Sequence, residues 1–116
     1  MSEIKIIKSK TSLDELKEIA NERFGDMVKG VVDIKIGIMA LGGEMHADEE
    51  AVLLNENSKQ EDLWGINLYP DMFEEEDFVE FDSMINIRPG QGNRSRSVED
   101  EEIRKQILEI VKNLIG

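Results

Sequence analysis

Apolar and polar positions follow helical spacing in three stretches of the chain and strand spacing in four. Ile4, Ile6 and Ile7 stand among lysines, which predicts a short first strand at a sheet edge, where Lys discourages further pairing. Ser12 with Glu15 three residues later makes a capping box. Leu13, Leu16, Ala20 and Phe24 then recur at helical spacing, and Gly25 supplies the stop. Asp26 to Leu41 fits two periods. Ile34, Ile36 and Ile38 alternate with Asp33, Lys35 and Gly37 as in a strand, while Met27, Val31, Ile34, Ile38 and Leu41 trace a helical stripe. Asp26 as N-cap, Gly42-Gly43 as stop and the length of the segment favour the helix.

Strand signals dominate from Glu44 onward. Met45 to Leu54 ends in the polar turn Asn55-Glu56-Asn57-Ser58, Asp62 to Tyr69 runs back to Pro70, and Phe78 to Arg88 alternates until Pro89. Arg88 to Ser97 reads as a loop. Ser97 caps a last helix with acids in its first turn and an apolar stripe of Ile103, Ile107, Ile110, Val111 and Leu114. The expected fold is α+β in the order β-α-α-β-β-β-α, a single domain over 1–116. Its mainly antiparallel sheet of about four strands carries helices on one face.

Strand parity then sorts the side chains. Trp64, Ile66 and Leu68 share an apolar face, which predicts a buried Trp64. The opposite, polar face carries His46, Asp48, Glu50, Asn67, Asn86 and Arg88.

Composition narrows the chemistry. Fourteen basic against 26 acidic residues give a net charge of −12, which disfavours nucleic acid and anionic membrane as partners. No cysteine is present, so disulfides, zinc-thiolate sites and a cysteine nucleophile are excluded. No stretch suits a signal peptide or a bilayer span, and the expected location is cytoplasmic.

Three candidate chemistries remain. His46, Asp48 and Glu50 at alternate strand positions would lie ~7 Å apart. They could serve acid–base work or, less readily, a divalent metal at His46 and Asp48; the usual histidine count of a catalytic zinc site is higher, and no cofactor is expected. Arg88, Arg94 and Arg96 fall in a stretch, Ser83 to Val98, without acids, and it leads into a helix N-terminus. Guanidinium forks match phosphate and carboxylate, so Asn67, Asn86, Arg88, Gln91, Asn93 and Arg94 form an anion-binding candidate. The plain alternative is that these arginines pair internally with some of the many carboxylates. The third feature is the run Asp71 to Asp82, with seven acids and no base, which reads as an exposed segment or as a counter-surface for a basic partner.

The segments GGEMHADEEA at 42–51, SKQEDLWGINLYP at 58–70 and NIRPGQGNRS at 86–95 resemble a prokaryotic family of short single-domain proteins of unknown function. The resemblance implies a compact stand-alone domain and supplies no activity, cofactor or catalytic residue. The expected function is a small binding or interaction module for an anionic ligand or a protein partner, a second copy of itself included. The alternative is a hydrolase-like enzyme, possible with metal assistance, using His46 with Asp48 or Glu50 and Arg88 or Arg94.

Overall fold

A computed structural model describes residues 4–116. Its order is β1 (Lys5–Ile7), α1 (Leu13–Arg23), β2 (Val28–Asp33), β3 (Ile38–Leu41), α2 (His46–Asn55), β4 (Leu63–Leu68), β5 (Val79–Glu80) and α3 (Glu101–Leu114). The class is α+β. Five strands form one sheet in the order β1-β3-β2-β4-β5, each neighbouring pair antiparallel.

The ends of the chain follow the expected pattern. β1 lies at the sheet edge. The Ser12 hydroxyl accepts from the Glu15 amide at the start of α1, and Gly25, at φ +88°, donates to the Ala20 carbonyl.

Asp26 to Leu41 is a β-hairpin, not a helix. Five of the six residues of β2 and all four of β3 are buried. Strands covered on both faces carry apolar residues at successive positions, and a helical stripe can be picked out of such a run by chance. Asp33 makes the turn. Its Oδ1 accepts from the Lys35 and Ile36 amides at 2.9 and 3.0 Å, its Oδ2 accepts from the Ser58 hydroxyl at 2.6 Å, and Gly37 takes φ +81°.

Residues 46–55 form a helix where strand alternation was expected. The segment is rich in Ala, Glu and Leu, which are strong helix formers. Its inward positions are His46, Glu49 and Leu53, a helical stripe that is two-thirds polar and so invisible to a hydrophobicity pattern. The expected strand from Phe78 to Arg88 shrinks to Val79–Glu80, followed by short 3-10 turns at Met84–Asn86 and Pro89–Gln91. Asp100, not Ser97, caps α3, accepting from the Glu102 and Ile103 amides.

The helices cover both faces of the sheet. On one face, Leu16, Ile19 and Ala20 of α1 and Ile107, Val111 and Leu114 of α3 pack on Val28, Val32, Met39, Leu41, Trp64, Ile66 and Leu68. On the other, Leu53 of α2 joins Val31, Ile38, Ala40 and Leu63 in a smaller cluster. The face expected to meet solvent is therefore half covered by α2, and what remains open lies beside Asn67. Among the described residues no helix is long and apolar enough to cross a membrane.

Candidate functional site

β4 is the strand around which the polar groups gather. β2 pairs with its whole length on one side, but β5 pairs only with Asn67 and Leu68 on the other. Side chains from 83–96 cover the rest of that edge. Asn86 Oδ1 accepts from the Gly65 amide at 2.8 Å, and Asn86 Nδ2 donates to the Gly65 carbonyl at 3.0 Å. One amide side chain thus reproduces both hydrogen bonds of a missing strand residue.

Arg88 completes the cover. Its guanidinium donates to the Leu63, Gln60 and Ile85 carbonyls and lies 4.6 Å from the Trp64 ring centroid. Asn93 Nδ2 donates to the carbonyls of Asn86, Ser95 and Ser97, which fixes the loop to itself. Gly65 makes room for this packing: a Cβ there would stand 2.5 Å from Ser83 Cβ and 3.2 Å from His46 Cδ2.

The expected anion-binding set is therefore divided. Asn86, Arg88 and Asn93 bond the fold's own backbone, and Gln91 Nε2 donates to the Glu61 carbonyl at 3.2 Å. The Arg94 and Ser95 amides, the loop's free N–H pair, both donate to Glu99 Oε2 at 2.8 Å. The Ser95 hydroxyl and these amides hold the Glu99 carboxyl below its usual range. The Arg94 side chain is exposed, and its charge acts on Glu99.

His46, Asp48 and Glu50 do not share a strand face. Successive residues of a helix turn by about 100°, so Asp48 projects away from His46 and is exposed, while Glu50 lies one turn on from His46 towards Arg88. Among the described residues no three His, Cys, Asp or Glu side chains are grouped to hold a metal ion.

What the fold does bring together is a cleft of about 480 Å³ between the start of α2, the β4–β5 pair and the 83–86 turn. His46, Asn67, Tyr69, Glu80, Lys29 and Arg96 line its polar side; Met27, Met45 and Met84 line its apolar side. His46 Nε2 donates to the Ile66 carbonyl at 2.8 Å. A carbonyl can only accept, so Nε2 carries the hydrogen. Burial lowers the His46 pKa, only partly opposed by the Ile66 carbonyl, so the ring is neutral at pH 7.

Asn67 Nδ2 donates to Glu80 Oε1 at 2.9 Å and to the Asp82 carbonyl at 3.3 Å, whereas its buried Oδ1 has no donor. The Tyr69 hydroxyl donates to the same Glu80 oxygen at 2.9 Å; its partial burial and that carboxylate push its pKa up. Arg96 Nε donates to Asp82 Oδ1 at 2.6 Å, leaving its two terminal nitrogens without partners among the described residues. Lys29 Nζ rests 5.2 Å from the Phe24 ring centroid and forms no ion pair with a described residue.

A family model described as "Protein of unknown function (DUF5674)" matches residues 5–114 of the chain. The chain belongs to this family. No curated protein and no solved structure matches it.

Of the residues that line this cleft in the DUF5674 member, the sequence pattern had offered His46 and Asn67 as candidates. It missed Lys29, Glu80 and Ser83. Lys29 was hidden inside the expected helix, and Glu80 inside an acidic run that reads as exposure. A second missed group lies outside the cleft. Glu49 of the DUF5674 chain is wholly buried beside the 42–43 loop, where its Oε2 accepts from the Gly43 amide at 2.9 Å and its Oε1 has no partner. Burial pushes its pKa up to about 9, so it is a neutral carboxylic acid at pH 7. Only the helical period, with Glu49 between His46 and Leu53 on one stripe, could have pointed to it.

Proposed function

We propose that the protein is a small binding module and that the cleft beside Asn67 is its ligand site. The observation that carries this is Asn67 Oδ1, a buried acceptor with no donor in the wall of a cleft. An unsatisfied buried polar atom costs on the order of 1–3 kcal/mol, which a ligand N–H or O–H would recover by displacing the side chains that shield Oδ1 from the cleft. Lys29 and the terminal nitrogens of Arg96 supply unpaired cationic donors to the same cleft. The complementary ligand is a small molecule with one acidic group and one hydrogen-bond donor, an amino acid being the simplest probe. Met27, Met45 and Met84 provide an adaptable apolar side. The net charge argues against nucleic acid as a partner, and we place the protein in the cytoplasm.

The test is a titration of isotope-labelled protein with the twenty amino acids and simple carboxylates, followed by amide NMR shifts. Saturable shifts at the Asn67 side chain, Ser83 and Met84 are expected. Arg96→Gln and Lys29→Gln should each weaken binding about tenfold without lowering the melting temperature. Shifts confined to 90–95, or none, would refute the reading.

A second reading, acid–base catalysis, rests on His46 alone: a neutral imidazole in the cleft wall is a competent base. It requires that His46→Gln retain binding of an ester or amide of the cleft's ligand while losing its turnover.

A further inference from the structure

The acidic run and α3 enclose a second cleft, remote from Asn67. Its floor is Phe73, Phe78, Val111 and Ile115, with Leu108 at the rim, and its volume is about 480 Å³. Phe73 and Phe78 meet edge to face with centroids 5.2 Å apart, which fixes two large rings in one wall. Leu108 is 45% exposed on the solvent side of α3. Glu74, Glu75 and Glu76 form the opposite wall. These three carboxylates and Asp77 are exposed, and none has an ion-pair partner among the described residues. Glu74 takes φ +72°, a left-handed conformation that a non-glycine residue holds only when its surroundings require it.

We propose that this groove docks an amphipathic segment of another protein, with two or three bulky apolar side chains against the Phe73–Phe78 wall and Lys or Arg against Glu74–Glu76. The volume falls within the roughly 300–1,000 Å³ of ordinary binding pockets. Charge selects the occupant. An apolar floor beside three unpaired carboxylates attracts a cationic amphipathic chain and repels an anionic one or an anionic lipid surface. Lys112 on the α3 side lines the groove, Lys10 lies near its Phe73 end beside Gly116, and both work against such a partner.

The experiment uses the full chain and a fluorescently labelled 14-residue helical peptide of Leu and Lys. Two control peptides have Ser for every Leu, or Glu for every Lys. Saturable binding of the Leu–Lys peptide is expected, at least tenfold tighter than that of either control. Leu108→Gln and the triple change Glu74→Gln, Glu75→Gln, Glu76→Gln should each weaken it about tenfold, and Lys112→Gln should strengthen it. Because Leu108 and the three glutamates are exposed, these variants keep the fold, which far-ultraviolet circular dichroism checks. Equal binding of the Ser–Lys peptide would show diffuse attraction to an acidic protein and overturn the proposal. An equal loss on changing Glu101 and Glu102 to Gln would do the same. Binding of an apolar dye that Leu108→Gln abolishes, with no binding of the peptide, would assign the groove to a small apolar ligand instead.

Discussion

Glu49 is the residue with the largest expected effect on solution behaviour. Its carboxyl is neutral in the folded protein up to about pH 9 and ionises near 4.5 when the chain unfolds. Between those values the folded state binds the extra proton, so stability falls as pH rises through the window. At about 1.4 kcal/mol per unit, the loss between pH 5 and pH 8 is on the order of 4 kcal/mol. Glu49→Gln keeps an acceptor for the Gly43 amide and should flatten the slope in chemical denaturation; an unchanged slope would contradict the assignment. His46 acts with the opposite sign. Its folded pKa is lowered, so its contribution is present above 6.5 and is lost as pH falls below it. His46 is also buried and bonded to Ile66, so it is not the tolerant solvent-face residue that strand parity implied. His46→Ala should cost ~1–2 kcal/mol, a loss read from urea midpoints. Asn86→Ala strips partners from both backbone groups of Gly65 and should cost more, on the order of 2–3 kcal/mol, with Asn86→Asp failing to restore the bond to the Gly65 carbonyl.

At the level of elements, legibility in the sequence tracked how each element solves its burial problem. α1 and α3 each present one apolar stripe, and their periods are visible. β4 is buried along its whole length, yet Trp64, Ile66 and Leu68 still alternate with Gly65 and Asn67, and β1 is marked by its isoleucines among lysines. The β2–β3 hairpin is buried on both sides, so its apolar run supports two periods equally, and only Asp33 and Gly37 mark the turn. α2 turns a histidine and a glutamate inward, so its stripe cannot be seen by hydropathy. Segment 81–97 is held by side-chain amides and a guanidinium in place of a strand ladder, an arrangement without a sequence period. The backbone partners of Asn86, Arg88 and Asn93 were invisible for the same reason: the carbonyls and amides they bind cannot be located from sequence. Asn67 was legible because it continues the clear alternation of β4. Asp33 ties its turn to Ser58 across the fold. Asp33→Ala should therefore lower hydrogen-exchange protection in β2 and β3 together, whereas Asp100→Ala should cost about 1 kcal/mol through α3 alone.

For the whole molecule, net charge is the dominant property. The charge of −12 is spread over a surface with few ion pairs among the described residues, and self-repulsion of this kind opposes the compact state. Sodium chloride shortens the Debye length from about 30 Å at 0.01 M to about 8 Å at 0.15 M, so the melting temperature should rise over that range. A flat or falling response would mean that local pairing outweighs the global field. The same charge bears on the strand Leu63–Leu68, LWGINL, whose edge is closed by the Asn86 amide and the Arg88 guanidinium. With that cover lifted, a six-residue uncharged β-segment would offer vacant N–H and C=O groups to any neighbouring chain. By closing this edge, the 83–96 loop denies it to a neighbouring chain. Loosening the loop should shift the protein at high ionic strength, where repulsion between copies is screened, from the dissolved state towards thioflavin-positive aggregate.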